Sequence, residues 1–429
     1  MDHTKGAGMT GGAHAIESPH PVRASERAAS IDVLRGFALL GILGMNIIVF
    51  AWPFIVTMDP SLMGPYEGGA KWGFRAMNLL ILGKMVFIFS MLFGAGVVFY
   101  SRKFESGRLA EGAGLWYRRM ALLLMLGVAH AWLLWYGDIL VWYAVVGLAA
   151  LWWLRKLPVW AMITIFVVVL LYFVPVAGAF AMFGQPAFNP DQEWYWNPTA
   201  FENELAVYAG EHGTYLAPTF HRMITTTLFY LLFLPFMYGP YLLGAMLLGQ
   251  ALTRLGVLTG RRPLGLYVAM AAIGIPVGLL LAWQGLAGIE ATALAGDKPV
   301  WWRGALAALS QPIQSLGYVG LVLALWKSGA LGAVGTALAA VGRMALTNYL
   351  LQTIICTTLF YPHGFGLFGT VPYPHLWGIV AGVWIVNILL SVVWLRYFRF
   401  GPAEWLWRCL TYLKLEPIRR RSDLAPVGS

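Results

Sequence analysis

The sequence predicts an all-α integral membrane protein, a bundle of about ten crossing helices with both termini on the cytoplasmic side. Three observations carry that expectation. Of 429 residues, 59% are hydrophobic and only 11% are charged, against roughly 45–50% and about 25% in a soluble domain. The apolar residues gather into ten runs, most of them near the roughly 20 residues that one crossing needs. Lys and Arg collect at the ends of those runs, mainly on one side. A soluble enzyme, a secreted disulfide scaffold and a disordered chain are excluded, as the mean hydropathy of +0.69 underlines. The net charge of +10 is not patched like a nucleic-acid footprint, so no nucleic-acid partner is expected. Cys356 and Cys409 lie far apart. Neither a disulfide nor a metal site is expected, because zinc ligands need clustered Cys or His.

In chain order, residues 1–29 are polar and read as a disordered cytoplasmic tail. They lack the basic start and short apolar core of a signal peptide, and His3, His14 and His20 lack ligand spacing. Residues 30–400 read as one transmembrane domain. Its apolar runs are Ile31–Trp52, Ala76–Tyr100, Met120–Tyr136, Ile139–Leu154, Pro158–Phe183, Met223–Gln250, Leu264–Gln284, Ala305–Trp326, Met344–Tyr361 and Leu376–Leu395. Only Gly137 and Asp138 part the third run from the fourth, which makes a helical hairpin. Leu331–Val341 is weakly apolar and suits an eleventh, interfacial helix. The outer loop 185–222 carries Trp194, Tyr195, Trp196 and Tyr208 beside several carboxylates. That mixture fits an aromatic belt better than a sugar site. Residues 401–429 read as an amphipathic helix, with Glu404 four before Arg408, followed by a basic tail.

Polar residues inside apolar runs are the functional candidates, because each is costly unless it is paired or lines a cavity. Asp32 and Arg35 are one turn apart, and Asn46 follows on the Arg35 face about 16 Å further along. Arg35 suits a phosphate with Asn46 deeper in the same cavity. An Asp–Arg pair closing the helix end explains the same residues. Lys84 is expected to snorkel outward. His130 falls near the membrane midplane, about 15 Å in, where a neutral imidazole can act as a general base. Asp138 is expected about 12 Å further, at the outer hairpin tip, orienting a partner or capping the next helix. The patch Ser310, Gln311, Gln314 and Ser315 surrounds Pro312, whose freed carbonyl a glutamine amide could satisfy. Arg343 lies at a cytoplasmic entrance, and Asn348, Gln352 and Cys356 share one face of the helix that follows. Gly94 and Gly96 permit a homodimer without requiring one. No P-loop, GxSxG or paired-His metal motif is present. The residues alone leave an enzyme, a transporter and a non-catalytic lipid-holding partner open.

The stretches SIDVLRGFALLGILGMNI at Ser30, FSMLFGAG at Phe89, GVAHAWLLWYGDIL at Gly127, GRMALTNYLLQTIICTTLFY at Gly342 and GPAEWLWR at Gly401 resemble the YeiB family, domain of unknown function 418. The resemblance spans about Arg27 to Arg419. It places the chain beside the transmembrane acyltransferase superfamily, whose members move an acyl group from cytoplasmic acyl-CoA to an acceptor across the membrane. Relatives there carry an Arg, ten residues and a His in the first helix. Here the spacing survives as Arg35 to Asn46, but Asn46 cannot serve as a base. The resemblance implies a multi-pass protein of the bacterial inner (plasma) membrane, among membrane lipids, with acetyl-CoA as donor, a glycan or lipid-linked acceptor and no metal. The phosphates of the donor would sit near Arg35, Arg118, Arg119 and Arg343. His130 would act as base with Asp138 beside it, and Asn46, Asn348 or Gln352 would steady the oxyanion. A transporter or flippase for a small anionic or lipid-linked substrate is the alternative.

Overall fold

The structure, a computed structural model, describes residues 29–104, 109–183, 198–210 and 214–420. The expected N-terminal tail, the aromatic cluster Trp194–Trp196 and residues 421–429 of the basic tail fall outside them. The described chain is helical. Its one extended pairing is an isolated bridge between Phe398 and Arg419. The elements are α1 (Ala29–Ala51), α2 (Gly68–Ala76), α3 (Lys84–Ser101), α4 (Leu109–Ala129), α5 (Leu140–Val146), α6 (Trp152–Leu154), α7 (Val159–Phe183) and α8 (Pro198–Ala209). They continue with α9 (Leu216–Phe233), α10 (Gly239–Arg254), α11 (Leu264–Ala295), α12 (Trp301–Lys327), α13 (Gly332–Arg343), α14 (Ala345–Phe360), α15 (Tyr373–Tyr397) and α16 (Pro402–Tyr412).

This is a multi-pass membrane protein. Every predicted apolar run falls on helix, and seven helical stretches are long and apolar enough to cross a membrane. The runs at Leu140–Leu154 and Ala345–Phe360 are apolar but shorter, and α4 carries Arg118 and Arg119 in its middle. The weakly apolar segment after α12 is the helix α13. It packs along α1 where a side chain at Gly36 would strike the Leu338 carbonyl and one at Gly342 would strike the Asp32 carbonyl. Two bare glycine surfaces therefore let these backbones touch. The pair α3 and α10 uses the same device in both directions. Gly94 lies against the Met246 carbonyl and Gly249 against the Met91 carbonyl. Gly94 is thus spent on a contact within the chain, while the space beside Gly96 is open.

One end of the bundle gathers Ser30, whose hydroxyl donates to Leu258 O in the turn after α10 at 3.1 Å, together with the α13–α14 junction and α16. Glu404 of α16 accepts the amides of Leu346 and Thr347 (2.7 and 3.2 Å) and the Thr347 hydroxyl. It caps the start of α14, while Arg408 lies over the Phe400 ring. Arg119 stacks on Trp407 at 4.0 Å, and Arg118 donates to Thr411 O at 3.2 Å. The opposite end joins Trp52 to Val371 O, Phe54 N to Glu204, and Arg75 to Glu290 through two hydrogen bonds of 2.7 and 2.8 Å.

Two helices break inside the bundle, and each break explains a buried cation. After α2 the chain makes a π turn over Met77–Ile81 and breaks at Gly83, whose φ is +76°, before α3 resumes. Such a break leaves carbonyls without their helical donors. The Lys84 ammonium, the Gln314 amide and the Tyr318 hydroxyl donate in turn to the carbonyls of Asn78, Leu79 and Leu80, at 2.6, 2.9 and 2.9 Å. The expectation that Lys84 snorkels outward is therefore wrong, since its side chain is buried against that turn. Gln314 likewise serves a neighbouring segment instead of the Pro312 kink in its own helix. The second break builds the candidate site.

Candidate functional site

The helix α4 ends in a π turn at His130–Leu134, and the chain then runs extended at Trp135. Trp135 anchors this change of course. Its ring stacks on Phe50 with 3.9 Å between centroids, and its backbone N–H donates to the His130 carbonyl at 2.9 Å. The segment folds back, so Asp138 returns to His130. His130 Nδ1 and Asp138 Oδ1 stand 2.9 Å apart, and both side chains are 0% exposed. A straight helix would have left them about 12 Å apart; the π turn and the extended residues remove that distance. The expected position of Asp138 at an outer tip is corrected accordingly. The two atoms are close, but their present angle does not make a well-aligned hydrogen bond. The second carboxylate oxygen accepts the Val141 amide at 2.7 Å and caps α5. Of the two roles considered for Asp138, the cap is thus seen directly, and its other oxygen faces His130.

The other imidazole nitrogen meets a residue the sequence did not single out. His130 Nε2 lies 2.9 Å from the Thr353 hydroxyl on α14. Tyr349, one turn earlier, places its ring 5.0 Å from the imidazole, and its hydroxyl accepts the Ile139 amide at 3.3 Å. Tyr349, Thr353 and Thr357 recur at four-residue spacing, a stripe that a helical projection shows but that looks like ordinary packing. A hydroxyl, an imidazole and a carboxylate thus stand in line, drawn from α14, the π turn and the loop before α5. All three are buried.

Arg222 holds the π turn from outside. The sequence reading ends the outer loop 185–222 on this residue. Instead it lies in α9, 0% exposed. Its Nε donates to Trp132 O at 3.1 Å and its Nη2 to Leu133 O at 3.1 Å and to Thr219 at 2.7 Å. The Tyr215 hydroxyl adds a second donor to Leu133 O at 3.1 Å. These carbonyls lost their partners when the helix stopped, and water is scarce at this depth, so a fork of donors satisfies them.

The remaining candidates divide by location. Asn348 Nδ2 donates to Ser391 on α15 at 2.8 Å, an interhelical bond, and to Val341 O at 3.2 Å. Asn348 Oδ1, Gln352 Nε2 and both amide atoms of Asn387 are buried without a hydrogen-bonding partner among the described residues. Asp32 and Arg35 pair at 3.0 Å, and Arg35 also reaches the carbonyl of Gly342, beside Arg343, at 3.4 Å. Arg35 keeps 23% of its side chain exposed. Asn46 is buried further along α1. Arg118 and Arg119, by contrast, are engaged with α16 as described, so the structure does not join them to the His130 cluster. Cys356 and Cys409 are both buried free thiols.

The fold and this cluster define a polytopic α-helical membrane protein with a buried hydroxyl–imidazole–carboxylate array. Residues 252–414 match the family model described as protein of unknown function (DUF418). The chain is 35% identical to the uncharacterized protein YeiB of Escherichia coli K12, over 90% of this chain and 96% of that one. It is 32% identical to the uncharacterized protein YxaH of Bacillus subtilis 168, over 95% of this chain and 100% of that one. It is also 26% identical to an uncharacterized 39.9 kDa protein in the amylase 3′ region of Bacillus acidopullulyticus, over 94% and 99%. The chain belongs to the DUF418 family that includes YeiB. No solved structure matches it.

Proposed function

We propose that the protein is a membrane acyltransferase of the bacterial inner membrane. It moves an acyl group, acetyl in the simplest case, from cytoplasmic acyl-CoA to a hydroxyl or amine acceptor on the outer side. The observation that carries this reading is the 2.9 Å approach of His130 to Asp138 inside the bundle. An ionisable pair at that depth is costly unless it is used, and a neutral imidazole with a carboxylate at Nδ1 has its second nitrogen ready to accept a proton. Asp138 would orient the ring and stabilise the imidazolium that forms. The basic residues put the α1 start, the α13–α14 junction and α16 on the cytoplasmic side. Arg35 and Arg343 flank that junction, and guanidinium forks suit the phosphates of a CoA donor. Gln352 Nε2, buried without a hydrogen-bonding partner among the described residues, offers N–H groups for a developing oxyanion, a contact worth about 2.7–4 kcal/mol in enzymes that use it; the N–H groups of Asn348 are already spent on Ser391 and Val341 O.

One observation favours a different reading. The interrupted helix at Gly83, with Lys84 buried against its free carbonyls, has the form of a substrate site in a transporter built on broken helices. The two readings separate in one experiment on membranes containing the full chain. Release of free CoA from acetyl-CoA, abolished by His130→Ala, supports the enzyme. Flux of an anionic or lipid-linked substrate into liposomes, with no CoA released, supports the transporter.

A further inference from the structure

We infer that Thr353 carries the acyl group between the two faces of the membrane, as a covalent ester on its side-chain oxygen. This inference rests on the acyltransferase reading and goes past it, because that reading requires only that His130 act as a base.

Three features of the structure converge on Thr353. The first is order. Its Oγ1 lies 2.9 Å from His130 Nε2, and His130 Nδ1 lies 2.9 Å from Asp138 Oδ1. This is the sequence of groups that activates a weak hydroxyl nucleophile: a base within hydrogen-bond reach, itself oriented by a third group. With Nδ1–H turned toward the carboxylate, Nε2 presents its lone pair to the hydroxyl. The alternative acceptor for that hydroxyl, Tyr349 O, is further away at 3.3 Å. The second is depth. At 1.5 Å per residue, Thr353 is about 12 Å along α14 from Ala345 and about 10 Å from Phe360. A residue midway can take a group from one face and surrender it to the other, so donor and acceptor never share a site.

The third feature is the surroundings. Toward the α1-start end, Gln352 Nε2, Asn348 Oδ1 and the Asn387 amide are buried with unspent hydrogen-bonding capacity among the described residues. Toward the other end the same holds for Arg222 Nη1 and the Tyr361 hydroxyl. Buried polar atoms without partners are few in native structures and call for an explanation. Groups that bind passing substrates on both sides of Thr353 would supply one.

The chemistry balances with the groups present. Thr353 Oγ attacks the thioester carbonyl while its proton moves to His130 Nε2. The C–S bond breaks, and the proton passes from His130 to the departing sulfur, leaving free CoA and an acyl ester on Thr353. In the second half, His130 takes a proton from the acceptor O–H or N–H as that atom attacks the ester. The C–Oγ bond breaks, and Thr353 recovers the proton.

The test uses membranes containing the full chain and their own acceptors, incubated with radiolabelled acetyl-CoA, quenched in acid at short times and mapped by peptide mass. The expected result is one acetyl group on the peptide holding Thr353. It should resist neutral hydroxylamine, which spares an oxygen ester and cleaves a thioester. Thr353→Ser should keep the label, and Thr353→Val, of nearly the same shape, should lose it. Label on Cys356 or His130 instead would overturn the inference. So would undiminished transfer to acceptor by Thr353→Val, and in that case the acyltransferase reading would stand. No release of CoA by the wild-type membranes would overturn both.

Discussion

His130 Nδ1 and Asp138 Oδ1 are 2.9 Å apart, although a continuous helix would separate the two residues by about 12 Å. The π turn after α4 and the extended residues behind it create the contact. Asp138→Asn tests what the contact does. An asparagine oxygen still caps Val141, so the fold should persist. The imidazole would lose its anionic partner, and acyl transfer should fall on the order of 100- to 10,000-fold, the range for a disabled general base. An unchanged turnover rate in a folded Asp138→Asn protein would contradict that role.

Arg222 supports the same turn from α9. Arg222→Met keeps much of the side-chain volume but leaves the Trp132 carbonyl without its donor. Each buried polar group so orphaned costs about 1–3 kcal/mol. The thermal unfolding midpoint in detergent should fall accordingly, and Arg222→Lys should restore part of the loss. A Met variant as stable as the parent would show that the clamp is dispensable.

The α3–α10 crossing predicts a sharp contrast between two glycines. A methyl group at Gly94 meets the Met246 backbone, whereas one at Gly96 meets nothing within 4 Å. Gly94→Ala should destabilise by about 1–3 kcal/mol, as overpacking does. Gly96→Ala should leave stability within about 0.5 kcal/mol or improve it slightly. Equal effects in a denaturation series would mean that the two helices do not meet at Gly94.

Glu204 on α8 gives the far end of the bundle a dependence on pH. Its carboxyl is buried, and the Phe54 amide and the Tyr136 hydroxyl support the charged form. Desolvation therefore raises its pKa from 4.5 to about 7. The folded state favours the neutral acid, so docking of α8 is strongest below about pH 4.5. It weakens as pH rises through about 7. The span amounts to about 3 kcal/mol at most. Hydrogen-exchange protection of α8 should fall over that interval, and Glu204→Gln should flatten the profile. Protection that climbs with pH would be the wrong sign.

Much of the fold was legible in the sequence because apolar runs and basic run ends report the bilayer directly. His130 was legible for the same reason, being an ionisable group where none is comfortable. Its partners were not. Asp138 is brought to it by a π turn, which has no composition signal in Gly127–Leu140. Thr353 carries a hydroxyl that also bonds back to Tyr349, as threonines in helices commonly do. Lys84 and Arg222 were misread because a cation near a run end ordinarily faces water. Here each serves the carbonyls freed by a broken helix, and breaks of that kind become visible only when the neighbouring helices are in place.

The most direct measurement is CoA release from acetyl-CoA by membranes holding the full chain, compared with the same membranes holding His130→Ala at equal folded abundance. Release and transfer by the wild type, reduced to background in His130→Ala, is the predicted result. Full turnover by the variant would contradict the assignment of His130 as the residue that moves the proton.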